Sequence, residues 1–266
     1  ALPTQKVQQW DPFLLLHHAK VKFSSKRLAK HQGVGPHPHR GFSPVTFVIE
    51  GEVQHRDSWG NNQIAKEGEV QWMHAGAGIV HSERPTDALI EKQGRQEIVQ
   101  LWINSPASKK MIPPTYSFVS NESVTRFFSE DKKITNKLIA GNYGDLSGNV
   151  APQSELLVIW GKGEQDGTQE LLIPKGYSSM LYLIKGEMIL KGYGLIEGEN
   201  LAIFDHEGDI IEFSFKENGQ FILLCGKPLT EVVTQSGPYV MNTQTEILEA
   251  MRDYQMGKFG VLIEED

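Results

Sequence analysis

Phe47-Val-Ile-Glu-Gly-Glu-Val53 returns about 130 residues later as Tyr182-Leu-Ile-Lys-Gly-Glu-Met188. Each copy is a short apolar run that meets a glycine corner and then resumes, a pattern of strands joined by a turn. A second corner follows each in the same order. Glu67-Gly-Glu-Val70 lies beyond the first copy and Glu197-Gly-Glu-Asn200 beyond the second, and both lead into further apolar runs. Two copies in one order imply a duplicated domain. The domains are expected over residues 1–130 and 131–266.

Runs at 45–49, 69–73, 98–103, 156–160, 180–184, 201–204 and 221–225 are separated by turn signals every ten residues or so, a cadence of short antiparallel strands. The expected class is all-β, two antiparallel barrels in tandem. A helix is expected over 243–254, where Ile247, Leu248, Met251 and Tyr254 recur at helical spacing before Gly257. It is expected to pack back toward the N-terminal domain. A shorter helix is expected near 105–111.

With 266 residues, 39% of them hydrophobic, and with 26 glycines and 13 prolines, the chain can fill two cores and supply many turns. A net charge of −7 and a pI near 5.8, without a dense Lys/Arg run, argue against direct nucleic-acid binding. No apolar stretch approaches the ~20 residues that span a bilayer. Residues 1–10 lack the regions of a signal peptide, so a cytoplasmic location is expected. The lone Cys225 excludes an internal disulfide and, within an apolar run, reads as a buried thiol.

The histidines are lopsided. Those at 17, 18, 31, 37, 39, 55, 74 and 81 fall in the first third, and only His206 lies beyond. Two pairs carry the chemistry, His37-Pro-His39 and His81-Ser-Glu83. At spacing i, i+2 on a strand, both side chains of a pair point to one face. If the two strands face each other, three imidazoles and a carboxylate converge, a donor set suited to iron, manganese, nickel, copper or zinc. A lone His-x-His is more often structural; the joint pattern is what points to a metal. Pro38 has no N–H for a ladder and suits an edge or a barrel mouth. Extending the odd-numbered face gives Val45, Phe47 and Ile49, so the ligands are expected to run into an apolar lining there. The second copy has neither pair: Lys175-Gly-Tyr-Ser-Ser-Met180 precedes Tyr182, and Asp205-His206-Glu207 reads as a solvated turn. The chain shows no G-x-S-x-G elbow, no G-x-x-x-x-G-K-[ST] loop and no H-E-x-x-H.

Further segments narrow the reading. His37-Pro-His-Arg-Gly-Phe42, Val48-Ile-Glu-Gly51, His55-Arg-Asp-Ser58, Gly68-Glu-Val-Gln-Trp-Met73, Ala75-Gly-Ala-Gly-Ile-Val-His-Ser-Glu83, Leu101-Trp-Ile-Asn104 and Gly237-Pro-Tyr-Val-Met-Asn242 together resemble the pirin family of the cupin superfamily. The resemblance runs from about residue 12 to 260. It implies a bicupin whose N-terminal barrel holds one metal, usually Fe(II), on His37, His39, His81 and Glu83, while the C-terminal barrel has no metal site. Two departures are visible. Ser43 stands where the family usually has glutamate, which is expected to change the pocket. His17-His18 replaces the acidic residues that usually follow Pro12-Phe-Leu-Leu-Leu16, which would alter charge near the mouth.

The resemblance also implies a dioxygenase of quercetin 2,3-dioxygenase type, with a small flavonol-like aromatic substrate and O2 as partners. Three imidazoles and one carboxylate would leave one or two octahedral positions open. Glu83 is the candidate catalytic residue, a ligand that accepts a proton when its coordination loosens. The alternative is a non-enzymatic metal- or redox-sensing regulator that binds a protein partner, in the cytoplasm or, in a eukaryote, the nucleus. Gln71, Trp72, His74 and Asn104 are candidates to support the ligands. Arg40 is expected to neutralise a substrate anion or to form a surface ion pair.

Overall fold

The computed structural model describes residues 1–5 and 7–264; Lys6, Glu265 and Asp266 lie outside them. The chain divides into two compact units, Phe13–Asn121 with Thr230–Asp266, and Ala1–Pro12 with Glu122–Leu229. Both are built on antiparallel strands, and the all-β architecture read from the repeat is the one found.

In the first unit the strands of the two main sheets are β1 (Phe13–Lys22), β2 (Val34–His39), β3 (Phe42–Glu50), β4 (Glu52–Asp57), β5 (Asn62–Lys66), β6 (Val70–His74), β7 (Ile79–Arg84), β8 (Arg95–Asn104) and β9 (Thr115–Val119). They form a five-stranded sheet, β1-β8-β3-β6-β9, and a four-stranded sheet, β2-β7-β4-β5. The second unit repeats the plan. Thr125–Phe128, Ile134–Ala140, Leu156–Gly163, Gly219–Gly226, Ser178–Lys185 and Asn200–Phe204 make a six-stranded sheet. Thr168–Leu172, Ile210–Phe215, Glu187–Leu190 and Gly194–Glu197 make a four-stranded one. Its core gathers Leu157, Ile159, Leu181, Leu183, Phe213, Phe215, Phe221 and Leu223. Cys225 is in that core, where burial pushes its thiol pKa up to about 12.

The repeated sequence corners do the same mechanical work in both units. Gly51 and Gly186 each carry the chain from the larger sheet to the smaller, with φ of 80° and 91°. A Cβ would come within 2.3 Å of the Arg95 carbonyl oxygen at Gly51 and 2.7 Å of the Gly219 Cα at Gly186. Only glycine meets both demands. Gly51→Ala is expected to destabilise the protein by at least ~2 kcal/mol, from left-handed strain and the backbone clash together. Urea unfolding measures it, and a loss under ~0.5 kcal/mol would show that the corner yields as an ordinary surface site does.

The helix Gln244–Gln255 begins at a capping box, in which Thr243 Oγ1 accepts from the Glu246 N–H and Glu246 Oε2 accepts from the Thr243 N–H. Its buried face differs from the expected one. Ile247 and Ala250 pack with Val80, Tyr239, Met241 and Phe259, while Leu248 and Tyr254 are exposed. Over 105–111 only a single 3-10 turn forms, Ala107–Lys109. The following Lys110 turns inward, and its Nζ donates to the Gly41 carbonyl (2.7 Å), Asn104 Oδ1 (2.6 Å) and the Val240 carbonyl (3.0 Å). Packing of that buried ammonium wins over helix continuation. Among the described residues no helix is long and apolar enough to cross a membrane.

Candidate metal centre

Strand register assembles the site. β2 pairs with β7 so that His37 lies opposite His81, and β4 pairs with β7 so that Asp57 lies opposite His81 and His55 opposite Glu83. Directly opposed residues project from one face, and His39 shares the face of His37 by alternation. The ring centroids of His37 and His81 are 4.3 Å apart, those of His37 and His39 4.7 Å, and those of His39 and His81 4.9 Å. One nitrogen from each ring falls within 4.8 Å of the other two.

The donor atoms suit an ion. His39 Nδ1 and His81 Nε2 are buried with no hydrogen-bond partner. His37 Nδ1 donates to the Gly35 carbonyl at 2.8 Å, which leaves the lone pair on its Nε2. Each orphaned buried polar atom costs on the order of 1–3 kcal/mol, and a metal would satisfy both. His39 and His81 are also kept neutral, as ligands must be. Burial, with the neighbouring His37 second, lowers the His39 pKa to about 3. Burial first, then His39, His37 and His55, holds His81 well below its ordinary value.

These depressed values make the metal-free barrel acid-labile. Between the unfolded pKa near 6.5 and the folded one, the unfolded chain binds more protons, so stability falls as pH falls. At pH 5 the His39 contribution lost is about 2 kcal/mol, and His81 acts in the same direction. Urea unfolding of metal-free protein at pH 7 and pH 5 should show the difference, and metal loading should raise stability at both pH values without removing it. Equal stability at both pH values would mean that these rings are not buried as neutral imidazoles.

Glu83 lies on the same strand but outside the group of three. Its Oε1 accepts from Thr46 Oγ1 at 2.9 Å and its Oε2 from Gln100 Nε2 at 2.9 Å. Thr46 and Gln100 are register partners on β3 and β8, so the carboxylate reaches from the smaller sheet to the larger. Trp102 Nε1 in turn donates to Gln100 Oε1 at 3.3 Å. The rings of Phe42 and Trp102 lie 5.0 and 5.5 Å from that of His39.

The lining therefore belongs to the even-numbered face of β3, with Phe42 and Thr46, and not to Val45, Phe47 and Ile49 as the alternation suggested. The reason is topological: β2 and β3 belong to different sheets, and the chain turns at Arg40-Gly41 between them, which resets the alternation. Ser43 falls on the far face, where its hydroxyl meets His74 Nδ1 at 3.2 Å, so this departure lies away from the three rings. His18 meets Glu97 at 2.8 Å. His17 pairs with Gln100 in register and shares its sheet face, exposed to solvent.

Arg40 fits neither expectation. It is buried, donates from Nε to the Ala77 carbonyl (2.7 Å) and from Nη2 to Asp253 Oδ2 (3.0 Å), and stacks on Phe259. Gln71 donates to the Val53 and Gln63 carbonyls, and Asn104 accepts from Lys110. In the second unit His206 stacks on Trp10.

Sequence reasoning missed Thr46 and Gln100, and it gave no role to His55 and Asp57. His55 Nδ1 lies 3.3 Å from His81 Nδ1, and His55 Nε2 lies 3.0 Å from Asp57 Oδ2. The same i, i+2 spacing that singled out the ligand pairs was present at 55 and 57. Thr46 and Gln100 left no such local mark.

Known proteins resemble this chain along most of its length. Residues 1–103 match the family described as Pirin, and residues 160–260 match the Pirin C-terminal cupin domain. The chain is 35% identical to a Pseudomonas aeruginosa protein provisionally named a quercetin 2,3-dioxygenase, over 95% of this chain and 87% of that protein. It is 32% identical to mouse pirin, over 96% and 85%. A crystal structure of quercetin 2,3-dioxygenase from Acinetobacter baumannii superposes with a TM-score of 0.89 at 37% identity, covering 97% of this chain and 90% of that one.

Proposed function

Because this chain belongs to the pirin family, we propose that its first barrel holds one divalent transition metal on His37, His39, His81 and Glu83 and acts as a quercetin 2,3-dioxygenase-type enzyme. The observation that carries this reading is the meeting of three imidazoles, two of them with buried and unpartnered nitrogens, beside a carboxylate on the same strand. A bound ion, Fe(II) in this reading, supplies a Lewis acid for an enolic oxygen and the place where O2 is activated. The side chains supply the rest. Trp102, partly exposed and backed by the buried ring of Phe42, offers a flat apolar surface beside His39 for a planar aromatic substrate. Thr46 and Gln100 are neutral donors, so they orient the Glu83 carboxylate without cancelling its charge. It is thus placed to accept the proton of a substrate hydroxyl.

The test is aerobic turnover by protein purified without oxygen and loaded with Fe(II), following quercetin loss and oxygen uptake, with manganese, nickel, copper and zinc compared. Consumption of both that depends on metal supports the enzyme. Near-stoichiometric metal without turnover of any flavonol would sink it in favour of a metal-sensing regulator, and a search for a protein partner would follow.

A further inference from the structure

Each of the three ligand rings has a hydrogen-bond partner on the nitrogen that does not face the others, the backbone at Pro238 for His39, and the partners of His37 and His81 differ in kind. For His37 it is a backbone carbonyl, Gly35 O at 2.8 Å, which can only accept. For His81 it is another imidazole, His55 Nδ1 at 3.3 Å. An imidazole nitrogen can donate or accept, so this contact alone does not say which nitrogen of His81 carries hydrogen. Something beyond His55 has to decide.

Asp57 is that group by position and by chemistry. Its Oδ1 takes the N–H groups of Trp59 (2.9 Å) and Asn61 (3.0 Å), and its Oδ2 takes the Asn61 side-chain amide (2.7 Å). Burial opposes its ionisation, but the hydrogen bonds from His55 and Asn61 outweigh burial and lower its pKa. An ionised carboxylate only accepts, so His55 Nε2, 3.0 Å from Oδ2, must carry the hydrogen. The ring of Tyr116, stacked on His55 at 4.4 Å, limits any other ring orientation.

We propose that Asp57, acting through His55, is a positioning residue that fixes His81 in its Nδ1–H tautomer and so keeps the Nε2 lone pair aimed at the metal. With its one ring hydrogen on Nε2, His55 has only a lone pair at Nδ1, so His81 Nδ1 must donate to it. The opposite polarity would put the His81 hydrogen on Nε2, an atom that is buried without an acceptor. Register makes the relay compact, since Asp57 lies opposite His81 and His55 opposite Glu83 on the same pair of strands. This inference rests on the reading of His81 as a ligand.

The test is Asp57→Asn, which keeps shape and the Oδ1 contacts but offers an N–H toward His55 Nε2 and reverses the chain of polarity. Nitrogen-15 NMR of the histidines in metal-free protein reads the tautomer directly. His81 is expected as Nδ1–H in the wild type and as Nε2–H in the variant. Chelator competition should then show affinity for Fe(II) reduced roughly 10–100-fold, the usual cost of losing an outer partner of a ligand histidine. A merely structural role for Asp57 would not move the tautomer. Finding His81 as Nε2–H in wild-type protein overturns the relay without any variant, as does an unchanged tautomer in Asp57→Asn. Unchanged affinity in Asp57→Asn, beside metal loss in His81→Ala, overturns its part in metal binding. Retained metal in His81→Ala instead overturns the ligand reading, and the tautomer measurement still decides the relay.

Discussion

Replacing His81 with alanine should strip most of the metal from the protein and end metal-dependent turnover, while both barrels stay folded. His81 is one of the three converging rings, 4.3 Å from His37 and 4.9 Å from His39 between ring centroids. Its Nε2 has no hydrogen-bond partner among the described residues. Loss of an outer partner costs roughly 10–100-fold in metal affinity, and loss of a ligand itself should exceed that. The change also removes the His81 Nδ1 contact with His55 and leaves space in a buried site, which costs some stability, but the strand pairing of β7 with β2 and β4 runs through the backbone and stays. The second unit, with its own core around Phe213, Phe215 and Phe221, is untouched. Metal-to-protein ratio after dialysis against a chelator reads the effect, and thermal unfolding of the metal-free forms checks the fold. His37→Ala and His39→Ala should behave alike. If all three variants keep full metal, the site is elsewhere.

The sequence carried what local periodicity can carry. The repeated glycine corner gave two barrels because a left-handed φ and a backbone closer than 3 Å leave no alternative to glycine at Gly51 and Gly186. The three histidines were legible because i, i+2 spacing is a property of one strand. What was not legible depends on which strands pair, and that is non-local. The turn at Arg40-Gly41 moves the chain to another sheet, so extending the face of His37 and His39 into β3 selected Val45 and Phe47 in place of Phe42 and Thr46. Gln100 reaches Glu83 from another sheet, and Arg40 finds Asp253 213 residues away. Leu248 fits the helical stripe as well as Ile247 does, and only the tertiary packing around Phe259 chooses between them.

Glu83→Gln should separate holding the metal from using it. Three imidazoles remain, so metal affinity should fall less than in His81→Ala. Turnover at equal metal loading should fall by about 10²–10⁴-fold, the usual worth of a positioned proton acceptor, because an amide cannot take the proton of a substrate hydroxyl. The substitution also disturbs its neighbours in a definite way. Thr46 can still donate to the new amide oxygen, but the new NH2 would face the Gln100 NH2 that now donates to Oε2. Gln100 cannot simply turn over, since its oxygen accepts from Trp102 Nε1. A part of the loss could therefore come from a displaced Trp102 and a poorer substrate fit, which would raise KM. Loss confined to kcat assigns Glu83 to proton transfer. Loss confined to KM assigns it to holding Gln100 and Trp102 in place. Unchanged kcat and KM at equal metal loading would remove Glu83 from the chemistry and leave it, at most, as a ligand.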